Sequence, residues 1–211
     1  MKTDQLIEIL SSNVEPVKQS HLRKTLIYAV VAGAIAAFGV MLSTVGLRPN
    51  GPPPLELLSL RLVFTLSLIA IGAVFLARLA RPGQRAGRLV ALTAVPFVVF
   101  VAAGGIAVGF ASPMAWGRML FGMNWMTCLI CIPLFAVLPF VALVWFLRDG
   151  APTNLRLTGA IAGLLAGALG ATAYAFHCPD DSVPFIAFWY ASMVGFCGLV
   201  GALLGRKLLR W

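Results

Sequence analysis

Two cysteines three residues apart, Cys128 and Cys131, and a third in the run His177-Cys178-Pro179-Asp180-Asp181 are the residues best equipped for chemistry in this chain. Thiolates are the nucleophilic and metal-binding form of cysteine, and with imidazole and carboxylate they suit soft divalent metals. Three readings of the set are open. Small polarizable side chains fill contacts between helices. Cys178, His177 and Asp180 or Asp181, joined by Cys128 or Cys131, would make a transition-metal site. Alternatively the thiols form a redox-sensitive pair, and a Cys128–Cys178 bridge is topologically allowed if the Cα atoms come within ~4.4–6.8 Å. Asp180 and Asp181 would raise the pKa of Cys178, and a protonated His177 would lower it. The fourth cysteine, Cys197, belongs to the middle or inner half of a separate apolar stretch.

The elements that position these residues follow from composition. Of 211 residues, 60% are hydrophobic and only 11% charged, under half the roughly 25% usual for soluble domains. That excludes a soluble cytoplasmic enzyme, a disordered chain and a disulfide scaffold. Apolar runs near 25–46, 57–78, 89–111, 122–147, 157–177 and 184–205 each approach or exceed the ~20 residues a helix needs to cross a bilayer. Such runs must satisfy their backbone internally and are therefore helices; the alternating strands of a barrel are absent. The expected fold is all-α: a polytopic membrane bundle of six transmembrane helices. Glu56 and Arg61 fall near the outer end of the second span, where both are expected to snorkel to the interface as anchors.

Charge sets the orientation. Thirteen of the 16 Lys and Arg residues flank the same side of the six spans, leaving Arg48, Arg61 and Arg118 opposite. This bias predicts that both termini are cytoplasmic. The net charge of +9 thus reports topology, and no nucleic-acid partner is expected. Residues 1–24 form a cytoplasmic tail, 25–206 the transmembrane domain and 207–211 a cytoplasmic end. Residues 1–24 lack an apolar h-region and are not expected to be a cleaved signal. In a bacterial frame the protein belongs in the inner membrane, with short outer loops at 48–56, 112–121 and 177–183. Cys128 and Cys178 then lie on the outer side, where disulfides persist, with Cys178 accessible from outside.

Rows of small residues recur every four positions: Gly159, Gly163 and Gly167; Gly201 and Gly205; Gly105 and Gly109; Ala29, Gly33 and Ala37. This spacing permits close helix approach, here expected to serve internal packing, with a homo-oligomer face as the alternative. Pro96, Pro133 and Pro139 predict kinks. Carboxylates deep in the spans, expected of an ion-coupled transporter, are absent. A quinone-linked thiol oxidoreductase would place a Cys-x-x-Cys like Cys128-x-x-Cys131 at the outer end of a helix. Such enzymes also need a second exposed pair, so the chain is read as a non-enzyme without cofactor, with a quinone-linked thiol oxidoreductase or a small transporter as the alternative.

The tail has a different character. Leu6, Ile7, Leu10, Val14 and Val17 recur at near-helical spacing behind Thr3, a candidate N-cap. Asp4, Glu8 and Glu15 against Lys2 give −2 over residues 1–17. A helix built to lie on an anionic leaflet should be basic. An acidic one favours a protein partner, docked as a helix in a groove, with Leu6, Ile7, Leu10, Asp4 and Glu8 as the contact residues.

Several segments resemble the NrsF family: the tail Met1–Leu10, Cys128-Leu129-x-x-Ile132-Pro133, Leu147-Arg148-x-Gly150-Ala151-Pro152 and Gly159-Ala160-x-Ala162-Gly163-Leu164. So do Tyr174-Ala175-x-His177-Cys178-x-Asp180-Asp181-Ser182, Phe188-Trp189-Tyr190 and Leu208-Leu209-Arg210-Trp211. The resemblance spans essentially the whole chain. It implies a six-span inner-membrane anti-sigma factor that sequesters an extracytoplasmic-function (ECF) sigma factor of the F type and releases it under heavy-metal or oxidative stress. The two cysteines of the family pattern map onto Cys128 and Cys178, whereas Cys131 and Cys197 fall outside it.

Overall fold

A computed structural model describes residues 19–48, 51, 53–81, 89–122 and 124–210. The tail residues Asp4, Leu6, Ile7, Glu8 and Leu10, and the candidate cap Thr3, lie outside the described residues. All described elements are helical: α1 (Gln19–Thr44), α2 (Leu55–Leu79), α3 (Leu89–Gly109), α4 (Pro113–Phe121), α5 (Trp125–Arg148), α6 (Leu155–Ala175) and α7 (Val183–Leu208). Six of them are long and apolar enough to cross a membrane, one for each expected span.

The bundle is organised around α6, which packs against α1, α2, α5 and α7. Its composition explains that place. The sequence LRLTGAIAGLLAGALGATAYA is small on nearly every face, so four neighbours can approach the backbone at once. The closest approach is to α7. A Cβ added at Gly159 or Gly163 would overlap the carbonyls of Gly201 and Cys197, and one at Gly201 would overlap the carbonyl of Gly159. The expected internal packing holds here and at Gly33, where a Cβ would stand 3.1 Å from Pro139. It does not hold for Gly105 and Gly109, which face open space among the described residues. Outward-facing Ile35, Val98, Leu199 and Leu203 are exposed, as expected where hydrocarbon replaces water. Helices α3 and α5 continue through Pro96, Pro133 and Pro139.

Two elements differ from the sequence reading. Residues 112–121, expected as a loop, contain α4, with Pro113 at its start, a position where a missing N–H costs nothing. And α7 is interrupted by a π-helical turn at Ile186–Tyr190. The wider turn places Tyr190, fully buried, in the same cluster as Cys128 and Cys178.

Candidate functional site

The turn after α6 carries the site. Three amides in succession reach back to close that helix: Phe176 N–H to Ala173 O, then His177 and Cys178 N–H to Tyr174 O at 3.0 Å each. The chain then runs without regular secondary structure through Pro179–Asp181 into α7. Every neighbouring element holds this segment. From the end of α1, Arg48 donates both Nη groups to Asp181 at 3.0 and 2.7 Å, and Gly46 O accepts from His177 Nδ1 at 3.0 Å. From the α4–α5 side, Asn124 N–H donates to Asp180 Oδ2 at 3.0 Å and Met119 O accepts from Ser182 Oγ at 2.9 Å. Trp189 Nε1–H reaches Leu120 O at 2.8 Å.

Gly122 is required for this closure. Its φ is +55°, and a Cβ there would stand 2.7 Å from Asp180 Oδ1, so both backbone conformation and space demand glycine.

From α2 comes the least expected contact. Arg61 is fully buried. Its guanidinium donates to the carbonyls of Ala175 and Cys178 at 3.2 Å each, to the carbonyl of Asp180, and to Asp181 Oδ1 at 3.3 Å. The expectation that Arg61 snorkels outward is therefore corrected: the loop folds over the guanidinium and brings acceptors to it. Glu56, its expected companion, stays exposed. The sequence carries the clue, since an arginine inside the first turns of a span must find carbonyls or a carboxylate.

Cys128 and Cys178 are both fully buried and belong to one apolar cluster with Tyr174, Tyr190 and Cys131. Cys197 belongs to the other cluster, at the α6–α7 contact, with its Sγ 3.2 Å from where a Gly167 Cβ would be. All four cysteines are free thiols. The expectation that Cys178 is accessible is corrected: it is 0% exposed. Burial pushes its thiol pKa up, with the Arg61 charge opposing, the direction that disfavours the nucleophilic thiolate. The Arg48 side chain beside Asp181 holds that carboxyl below the usual range, and Asp181 in turn raises Arg48.

The candidate metal partners are otherwise engaged: His177 with Gly46, Asp180 with Asn124, and Asp181 with Arg48 and Arg61. Among the described residues no three His, Cys, Asp or Glu side chains come together as a metal-holding group. What the arrangement offers chemically is two buried thiols in one apolar cluster, one of them on a loop held by polar contacts.

Comparison with known proteins adds a family. Residues 10–211 match the family model described as "Negative regulator of sigma F". The "Probable anti-sigma-F factor NrsF" of Azospira oryzae is 34% identical over 217 residues, covering the whole of both chains. The "Anti-sigma-F factor NrsF" of Caulobacter vibrioides is 34% identical over 220 residues, again end to end. No solved structure gives a significant match.

Proposed function

Since the chain belongs to the NrsF family of negative regulators of sigma F, we propose that it holds an ECF-type sigma factor at the inner membrane and releases it when an oxidant or heavy metal engages Cys128 and Cys178. Full-length similarity to two anti-sigma-F factors supports the regulatory part. The observation that carries the sensing part is the shared burial of Cys128, on α5, and Cys178, on the clamped α6–α7 turn, in one apolar cluster. Forming a disulfide between them, with an oxidant taking two electrons and both thiol protons lost, would draw the two elements together. A soft metal bound by the two thiolates would do the same.

The basic bias supports a topology with both termini in the cytoplasm and the thiol loop outside. The sigma factor then meets the inner face, where the acidic tail with Leu6, Ile7 and Leu10 offers apolar side chains to bury, flanked by Asp4 and Glu8. Each of those apolar groups is worth ~1.5–3 kcal/mol when fully buried. The test is a pulldown from detergent-extracted membranes. The wild-type chain should retain a sigma factor, and Leu6→Ala with Leu10→Ala should lose it at unchanged protein level. Retention by the double variant would move the contact to the inner loops.

A further inference from the structure

We infer that Arg61 is the positioning residue of the thiol site: its guanidinium keeps the Cys178 loop shut, and so sets how readily Cys178 can be reached. This deepens the reading of Cys178 as a sensor and rests on it for its biological meaning, though not for its geometry.

The geometry is specific. Arg61 sits on α2, yet its donors end on three carbonyls and a carboxylate of the segment 175–181, one of them the carbonyl of Cys178 itself. Nη1 closes the end of α6 by joining Ala175 O to Cys178 O, and Nη2 joins Asp180 O to Asp181. A planar fork can serve four acceptors in this way, whereas an ammonium cannot match the same spread. The hydrogen bonds are charge-assisted and fully or partly buried, which makes them stronger than neutral exposed ones. Opening the loop would leave the guanidinium without these partners, so the closed state is the one the cation favours.

The closed state is nonetheless incompletely satisfied. Among the described residues, Arg61 Nε, Arg48 Nε and the Tyr174 hydroxyl are buried without a hydrogen-bond partner. These unpaired groups surround or adjoin the same loop, and each is penalised for lost hydration. Opening would return them to water. The loop therefore combines strong specific contacts with a residual cost of closure, which is what a switchable latch needs. The other end of α2 also touches a loop: Ala80 O accepts from Ala151 N–H at 3.1 Å in the α5–α6 turn. One helix thus joins the thiol loop to the turn at the opposite face.

The experiment uses the full chain in detergent micelles, without stress or sigma factor, and follows the rate at which a maleimide modifies each cysteine. Arg61→Gln should label Cys178 at least about tenfold faster than wild type, a change equivalent to ~1.4 kcal/mol of lost closure. Arg61→Lys, which keeps the charge but not the fork, should fall between. Cys197, in the other cluster, should label at its wild-type rate in both, because a generally loosened fold would expose it too. Unchanged Cys178 labelling, or equal acceleration at Cys197, overturns the inference. If Arg61→Gln does not accumulate, Arg61→Lys is judged by the same two rates. Sigma release measured separately in these strains distinguishes the two levels: fast labelling with an unaltered stress response would uphold the clamp and reject Cys178 as the sensor.

Discussion

The α6–α7 seam and the Cys178 loop are both tightly packed, but by opposite means. Along the seam, Gly159 and Gly163 meet Gly201, Cys197 and Gly205 backbone to backbone, and shape alone holds them. Around the loop, Arg61, Arg48, Asp180 and Asp181 make directional contacts, some charged, and several neighbouring polar atoms are left unpaired. Packing of backbones offers no second arrangement at similar free energy, because any displacement opens a void or forces overlap. Polar contacts can be exchanged for water or for another partner. The seam is suited to be the fixed part and the loop the moving one.

The most severe way to break this contrast is to add bulk to the seam. Gly163→Val should destabilise the bundle by about 3 kcal/mol or more, seen as lost accumulation in the membrane. Gly105→Val carries the same substitution in the same four-residue motif, but into open space, and should change the melting temperature of the solubilised protein little. Equal damage at both positions would mean that the Gly105 row is packed against something the bundle itself does not supply, such as a second copy.

A smaller loss is expected at the loop's edge. Trp189→Phe keeps the ring contacts with Trp125 and Phe185 but deletes the Nε1–H to Leu120 O bond. Its cost should be about 1 kcal/mol, measured as a lower melting temperature with the fold retained.

The smallest effect is electrostatic. Asp181 has its folded pKa depressed, first by the hydrogen bond from Arg48. Its contribution is therefore complete above the unfolded carboxylate value, ~3.9, and is lost as pH falls through the lower folded value. The pair is partly exposed, with side chains 12% and 27% accessible, so screening by water and salt keeps the contribution modest. Lowering pH through the carboxylate range should reduce thermal stability slightly more in wild type than in Asp181→Asn. An identical pH response would show that the pair adds nothing.

These regions also differ in how visible they were beforehand. The six spans could be read from hydropathy, because length and the absence of charge suffice to identify them. The seam could be read from glycine spacing, although the same spacing at Gly105 and Gly109 leads to no contact; periodicity identifies a face, not its neighbour. The loop was only half legible. Cys128 and Cys178 stood out by residue type and shared side, but their full burial did not, since burial depends on what folds over them. The burial of Arg61 is hidden for the same reason: its carbonyl partners lie 114–119 positions away in sequence. Helix α4 and the π turn at Ile186–Tyr190 were not expected, the first because a nine-residue segment containing Gly117 and Arg118 between two long spans reads as a connection, the second because a one-residue insertion in a helical ladder leaves no compositional mark.

The central claim is that the proposed pair Cys128 and Cys178 is the switch and the bundle around it the fixed frame. It is tested most directly by measuring how much sigma factor stays bound to membranes carrying the full chain, before and after a thiol oxidant or a soft metal, in wild type and in Cys178→Ser. The account predicts release from wild type and undiminished retention by Cys178→Ser. Release from both to the same extent would contradict it and return Cys178 to the role of a packing residue.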